Sequence, residues 1–160
     1  MKSAADLTQR IDYPNFPELD AIDLSLTDAR TVITLQAMRS QGGFSIWPGL
    51  KQANWGRIYG SETSEHYAVG RLATACDVFP AKGKVIRFWS LCQEQAEVGG
   101  MGLYLDTKGP DGSPWMMTHF DLRQKPRLMW VRNGGEYWYD VSDPVKFWSL
   151  IRQAIAKDLL

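Results

Sequence analysis

The chain has 160 residues, of which 44% are hydrophobic and 22% are charged, a composition typical of one globular domain with a sizeable core. Lysine plus arginine and aspartate plus glutamate number 18 each, so no global basic field exists to attract nucleic acid or an anionic membrane, and only a local charged patch fits this balance. No window reaches the roughly eighteen apolar residues of a membrane span, and the N-terminus lacks the apolar core of a secretory signal. These features predict a chain made in the cytosol.

The first part of the chain predicts an arm followed by a helix. Residues 1–23 contain prolines and scattered acids without periodicity, which predicts an extended N-terminal arm on a single domain that spans 1–160. A helix is expected to begin with Thr27 as its N-cap and to end at Gly42-Gly43. Its predicted inward residues are Val32, Leu35 and Met38.

The rest of the chain predicts short strands interrupted by two more helices. The predicted strands are 44–47, 74–79, 101–105, 115–122, 128–132 and 136–139. The third and fourth of these are expected to pair, and residues 133–135 predict a hairpin turn between the last two. Residues 49–64 predict a loop that is rich in aromatic side chains. The fold class is therefore α+β, with a mostly antiparallel central sheet and about three packing helices.

The helix over residues 84–97 carries apolar side chains at helical spacing, and the C-terminal helix is expected to begin with Asp143 as its cap and Pro144 in its first turn. The predicted inward face of that last helix consists of Val145, Trp148, Ile151 and Ile155. Trp89 and Trp148 are therefore predicted to lie in the core, whereas the other five tryptophans are not assigned between core and cleft. Cys76 and Cys92 are expected to be reduced core residues.

The chain has two histidines, and both lie beside carboxylates. His66 precedes Asp77, which follows a small, apolar, strand-like run. His119 shares one face of a predicted strand with Asp121 and Arg123, because alternate strand residues point to the same side. Two imidazoles and a carboxylate suffice for a catalytic zinc site that leaves the fourth position to water, so His66, Asp77 and His119 are the candidate metal ligands.

Other readings of the neighbouring charged residues remain open at this point. Asp121 is compatible with a general base, with a carboxylate that orients a ligand imidazole, or with a sheet residue paired to Arg123. Arg71 is compatible with a bidentate contact to a substrate carboxylate or with a solvated charge at a strand edge. Asp106 and Asp111 are fallback bases that occur more often as turn formers.

At these residues the chain resembles the M15 family of zinc peptidases, which includes D-Ala-D-Ala carboxypeptidases and phage endolysins. Their Ser-x-His motif, followed by a glycine and a zinc aspartate, is similar to Ser64, His66, Gly70 and Asp77. The segments 99–104 and 118–123 resemble the Gly-Gly-x-Gly-x-Tyr and His-x-Asp-x-Arg ending of a branch found in phage and bacterial cell-wall proteins. The resemblance spans residues 24–123.

The resemblance implies an M15/hedgehog-like peptidase fold, a Zn²⁺ cofactor, and hydrolysis of a peptide bond in the stem of bacterial peptidoglycan. Many members carry an acid three residues before the second histidine, where this chain has Met116, so Asp121 is the preferred catalytic acid. The family's substrate-binding arginine has no clean equivalent in 45–49, which leaves Arg57 or Lys51 as substitutes and Arg71 as a further candidate. The family spaces its first histidine and aspartate by seven residues, against eleven here, which implies an insertion or a different ligand.

Two functions from different classes follow. The first is a zinc peptidase, a monomer or a component of a phage particle, that reaches the cell wall after release through a holin, a lysis event or packaging. It would have no nucleic-acid partner and no membrane span. The second is a non-catalytic phage structural or wall-binding module that keeps the peptidase fold, which Met116 favours.

Overall fold

The computed structural model describes Ser3, Phe16, Leu19 and residues 23–49, 51–124 and 126–159. The predicted N-terminal arm lies largely outside the described residues. Phe16 and Leu19 are nevertheless buried among the core side chains, so at these two points the N-terminal segment contacts the rest of the chain.

Three α-helices and six strands are present within the described ranges, which confirms the α+β class. The helices are α1 (Ala29–Gly42), α2 (Val85–Glu94) and α3 (Pro144–Asp158). The strands are β1 (Ile46–Pro48), β2 (Ala75–Pro80), β3 (Gly100–Tyr104), β4 (Met117–Asp121), β5 (Leu128–Asn133) and β6 (Glu136–Tyr139). No helix in these ranges combines the length and the apolar character needed to cross a bilayer.

The strands form one mixed sheet in the order β1-β2-β4-β3-β5-β6. All neighbours are antiparallel except β3 and β5, which run parallel. The predicted pairs β3 with β4 and β5 with β6 are both confirmed. The turn of the β5–β6 hairpin uses Gly134 at φ 62° and Gly135 at φ 84°, a conformation that glycine adopts without steric cost.

The two faces of the sheet have different roles. One face is apolar and packs under the helices through residues such as Cys76, Val78, Met101, Leu103, Phe120 and Val131. Because side chains alternate along a strand, the intervening residues Asp77, His119 and Trp130 project from the opposite face. A long loop over residues 49–74 covers part of that second face and brings His66 to it.

The boundaries of α1 differ slightly from the prediction. The N-cap is Asp28 and not Thr27, because the Asp28 carboxylate accepts a hydrogen bond from the backbone N–H of Arg30. The helix ends as predicted, with Gly43 in the left-handed conformation at φ 65°. The predicted inward residues Val32, Leu35 and Met38 are all buried.

Helix α2 ends at Glu94, three residues before the predicted end. The chain leaves the helix here because the Arg127 guanidinium donates hydrogen bonds to the backbone carbonyls of Gln93, Gln95 and Val98. At the other end, the Asp158 carboxylate of α3 accepts from the first backbone N–H groups of α2. Both contacts join residues that are far apart in sequence.

Helix α3 begins as predicted, with Asp143 as its cap and Pro144 in its first turn, but its predicted inward face is wrong. Val145, Trp148 and Ile155 are exposed, by 82%, 46% and 39%, whereas Ile151 is buried as predicted. The buried face consists of Phe147, Leu150, Ile151, Ala154 and Asp158. The helix is apolar on both sides, and the sequence pattern alone does not say which side meets the sheet.

Candidate metal centre

Asp77 and His119 lie directly opposite each other on β2 and β4. This register places the Oδ1 of Asp77 2.9 Å from the Nδ1 of His119. Cys76, the neighbour of Asp77, points into the core on the other face, so it cannot join the site. The strand pairing therefore supplies two of the three predicted ligands.

His66 reaches the site from the loop that precedes β2. Its backbone is held by Arg57, whose N–H donates to the His66 carbonyl, and by the Ser64 hydroxyl, which accepts from the His66 N–H. The Nε2 of His66 lies 3.2 Å from the Nδ1 of His119 and 3.4 Å from the Oδ1 of Asp77. The eleven-residue interval thus still brings Asp77 and His66 together.

The three ligand atoms have the spacing that a metal ion requires. All lie within 4.8 Å of one another. A tetrahedral ion with ligand bonds of about 2.0–2.1 Å separates its ligands by about 3.3 Å, close to the three distances observed. The donor set of two imidazole nitrogens and one carboxylate oxygen is one that zinc and several other divalent ions accept. These residues can therefore hold a metal ion.

The second nitrogen of each imidazole has its own acceptor. The Nδ1 of His66 lies 3.1 Å from the backbone carbonyl of Trp55, and the Nε2 of His119 lies 3.0 Å from the Oδ2 of Asp121. A carbonyl and a carboxylate can only accept, so these nitrogens carry the protons. The other nitrogens, the Nε2 of His66 and the Nδ1 of His119, face the centre of the three ligands and are the atoms that would bind a metal ion, which is the usual outer arrangement of metal-binding histidines.

Asp121 is fully buried behind the His119 ring and does not line the cleft. The Arg123 guanidinium donates to both of its oxygens, and the backbone N–H of Arg123 donates to Oδ1. Burial alone would raise the pKa of Asp121, but the hydrogen bonds from His119 and Arg123 outweigh burial and hold that pKa well below its usual range. The carboxylate is thus ionised, and both of its oxygens accept hydrogen bonds from His119 or Arg123.

Without a metal, the charges of His119 and of the neighbouring carboxylates stabilise one another. Burial disfavours a charged imidazole, but the hydrogen bonds to Asp121 and Asp77 outweigh burial and raise the pKa of His119 to about 9. Burial likewise opposes the charge on Asp77, yet the attraction of His66 and the hydrogen bonds from both histidines hold the pKa of Asp77 well below its usual range. A proton on His119 therefore occupies the place that a metal ion would take.

A cleft of about 610 Å³ opens over the ligands. One wall is aromatic and consists of Tyr104, Trp130, Tyr137 and Tyr139. The Trp130 ring lies 5.1 Å from the His119 ring, and it can do so because Gly102 lies between them on β3; a Cβ at Gly102 would come within 2.4 Å of the indole. Similarly, Gly100 leaves room for the Asp121 carboxylate. The glycine-rich motif thus provides a flat strand under the site.

The two predicted substrate-binding arginines are placed differently. Arg57 lines the cleft, and its Nη2 donates to the Ser64 hydroxyl over 3.3 Å. Arg71 does not line the cleft; its guanidinium donates to Glu65 and to the backbone carbonyls of Ser64 and Tyr67. Arg57 is therefore positioned to meet a ligand, whereas Arg71 instead holds Glu65.

Some residues of the site carried no specific assignment from the sequence. The Trp55 carbonyl holds His66, the Asn54 amide donates to the Oδ2 of Asp77 over 3.3 Å, and Tyr104 lines the cleft. Burial and the charge of Asp77 raise the pKa of Tyr104, so its phenol stays protonated. A backbone carbonyl has no signature in a sequence, whereas the tyrosine stands in the glycine-rich motif. Met116 lies away from the cleft, in a different pocket.

In comparisons with known proteins, no protein-family model, no curated protein and no solved structure matches the chain. The class of protein is therefore described from the fold and the site alone. The chain is an α+β protein with a mixed six-stranded sheet and three helices within its described ranges. One face of that sheet carries a group of His66, Asp77 and His119 that can hold a metal ion.

Proposed function

We propose that the protein is a zinc-dependent peptidase. The observation that carries the proposal is the convergence of the Nε2 of His66 and the Nδ1 of His119 with the Asp77 carboxylate beneath an open cleft. Zinc in such a donor set supplies Lewis acidity, which activates water and polarises a carbonyl group. Structural zinc sites usually have four protein ligands, and the three ligands here, next to a cleft, favour a catalytic site.

The residues around the ligands have separate tasks in this proposal. Arg57 faces the cleft with a guanidinium that can hold a substrate carboxylate. Tyr104 keeps its phenolic proton and can donate a hydrogen bond to the oxygen on which negative charge develops. Asp121 orients His119 from behind. Each of these contacts positions a group before the reaction begins.

The proton acceptor follows from which carboxylates line the cleft. Among the described lining residues these are Glu65 and Asp77, and Asp77 is a candidate ligand. Glu65 is held by Arg71 and by the Thr74 hydroxyl through its Oε2, which leaves Oε1 for the proton of the attacking water. We therefore favour Glu65 over the buried Asp121 as the general base.

The proposed substrate is the peptide stem of bacterial peptidoglycan. Its support is the resemblance of residues 24–123 to the M15 peptidases, in which His66, Asp77 and His119 take the ligand positions. In this proposal the protein acts at the cell wall after its release, or as part of a phage particle. A stem peptide has free carboxylates, which suit the arginine in the cleft.

A non-catalytic wall-binding module is the second candidate. It is favoured by Met116, which stands where many M15 members have an acid, and by the burial of Asp121. Such a module would keep the ligand geometry and bind stem peptides in the same cleft without cleaving them.

The test combines metal analysis with hydrolysis of purified cell walls. We expect about one zinc per chain, loss of zinc in His66→Ala, Asp77→Ala and His119→Ala, and release of stem peptides detected by mass spectrometry. Asp111→Ala is the matched control, because Asp111 is an exposed carboxylate in a turn. Zinc binding without any released peptide would favour the binding module. Unchanged zinc content in all three ligand variants would refute both.

A further inference from the structure

A second cavity of about 350 Å³ opens on the same side of the sheet as the metal cleft. Trp47 and Phe79 line it; they are cross-strand neighbours on β1 and β2, and their ring centroids are 5.9 Å apart. Phe79 follows Asp77 by two positions, so the two side chains share one face and are separated by about 6.6 Å along the strand. The aromatic pair therefore lies one strand repeat from a candidate metal ligand.

A single turn of chain separates the two cavities. It is the 3₁₀ turn Gln52–Asn54, in which Ala53 lines the metal cleft and Asn54 lines the second cavity. The Nδ2 of Asn54 donates to the Oδ2 of Asp77. A ligand in the second cavity therefore lies on the opposite side of Asn54 from the metal ligands.

The second cavity also carries uncompensated positive charge. Lys51 and Lys108 lie at its rim, and no carboxylate is among its described lining residues. Neither ammonium group has an ion pair or a hydrogen bond with any residue that the structure describes. Lys82, by contrast, bonds Ser113 and lies over the Trp115 ring. Because two free ammonium groups flank an aromatic surface, the cavity favours a ligand that is both anionic and apolar on one face.

We propose that this cavity is a subsite for an acidic sugar, in which a sugar ring packs on Trp47 and its carboxylate lies between Lys51 and Lys108. The C–H face of a sugar ring is apolar and suits an indole, and a carboxylate accepts charge-assisted hydrogen bonds from lysine. A neutral sugar would form no ion pair with the lysines, and a simple carboxylate would not pack on the aromatic pair. The placement of this sugar beside a stem peptide rests on the proposed function, but the binding itself does not.

The experiment measures binding of two matched sugars and of lactate to the protein as isolated, by NMR of the tryptophan indole N–H groups. N-acetylmuramic acid has the ring and a lactyl carboxylate, N-acetylglucosamine has the ring alone, and lactate has the carboxylate alone. We expect shifts at the Trp47 indole with N-acetylmuramic acid, with affinity about tenfold weaker for N-acetylglucosamine and for lactate. No shift at Trp47, or equal affinity for all three ligands, overturns the proposal.

Variants locate the subsite. In NMR that observes the ligand's own signals, Trp47→Ala is expected to abolish binding. The double variant Lys51→Gln/Lys108→Gln is expected to remove the preference for the acidic sugar while the protein stays folded. Trp148→Ala is the matched control, since Trp148 is an exposed tryptophan on α3. An equal loss of binding in Trp148→Ala, or an unchanged preference in the lysine variant, refutes the assignment.

The same titration, combined with the cell-wall assay of the wild-type protein, separates this inference from the proposed function. Sugar binding by a wild-type protein that releases no stem peptide leaves the subsite intact and removes only the peptidase. Wall cleavage by a wild-type protein that ignores N-acetylmuramic acid removes only the subsite.

Discussion

The imidazole of His119 donates from Nε2 to the Oδ2 of Asp121 over 3.0 Å, while its Nδ1 faces the Asp77 carboxylate. The ring is thus held between two carboxylates, one on each side. Asp121 is in turn bonded to the Arg123 guanidinium, so its charge is balanced and its position is fixed. This arrangement gives His119 one available orientation and leaves Nδ1 as the one nitrogen that faces Asp77 and His66, which is the condition for a preorganised ligand.

Asp121→Asn is expected to weaken metal affinity by about 10–100-fold, because an amide holds the His119 ring less firmly and does not favour the required tautomer. The measurement is a competition titration with a chelator of known zinc affinity. Excess zinc should then restore whatever hydrolysis the wild-type protein has. If Asp121→Asn keeps full metal affinity and loses hydrolysis even when saturated with zinc, Asp121 is instead the general base that the sequence favoured.

The metal-free protein is expected to lose stability as the pH rises from about 6.5 to about 9. The folded pKa of His119 is raised to about 9 from an ordinary 6.5, so its stabilising contribution is complete below the ordinary value and is lost through the raised value. The expected loss is roughly 3 kcal/mol, from about 1.4 kcal/mol for each unit of pKa. The lowered pKa values of Asp77 and Asp121 affect stability at acidic pH, where the free energy of unfolding falls as the pH drops through and below the ordinary range of a carboxyl group.

Urea denaturation in the presence of a chelator measures this dependence. His119→Gln is the matched control, because glutamine keeps hydrogen-bonding capacity without titrating. Wild-type protein should be less stable at about pH 8.5 than at about pH 6, and the variant should show little of this difference. An identical pH dependence in both proteins would show that His119 is not the titrating group.

Local patterns were enough to predict most of the helices and strands. Period-2 alternation indicated β4 with His119 and Asp121 on one face, and Asn133-Gly134-Gly135 indicated the last hairpin. The early end of α2 was missed because it depends on Arg127, which is 29 to 34 residues from the carbonyls that it contacts. The parallel pairing of β3 with β5 is likewise a long-range relationship that no local pattern contains.

The candidate ligands were predictable, but their surroundings were only partly so. Two histidines and an aspartate beside strand patterns were sufficient to name His66, Asp77 and His119. The sequence did not show whether Asp121 faces the cleft or supports His119 from behind. Asp121 and His119 lie on the same face of one strand, and that placement fits both roles. The direction of Arg71 depends on its contact with Glu65, which is set by the conformation of the loop.

Gly102→Ala is expected to destabilise the fold by about 1–3 kcal/mol, because a Cβ there would come within 2.4 Å of the Trp130 indole in a packed site. Chemical denaturation of the single variants and of Gly102→Ala/Trp130→Ala completes a double-mutant cycle. The cost of adding the methyl group should be much smaller when Trp130 is already alanine, because the clashing ring is gone. An equal cost in both backgrounds would place the strain in the backbone of β3.

Two side chains of α3 that the sequence placed on one inward face are expected to differ sharply in their contribution to stability. Ile151 is 5% exposed and packs in the core, so Ile151→Ala should cost about 2–5 kcal/mol through lost burial and the cavity left behind. Val145 is 82% exposed, so Val145→Ala should change the free energy of unfolding by no more than about 0.5 kcal/mol. Both are β-branched residues of the same helix changed to alanine, so the gain in helix propensity is similar and largely cancels in the comparison. Equal costs in urea denaturation would mean that Val145 is covered in solution, and the inward face drawn from the sequence would then describe α3 better.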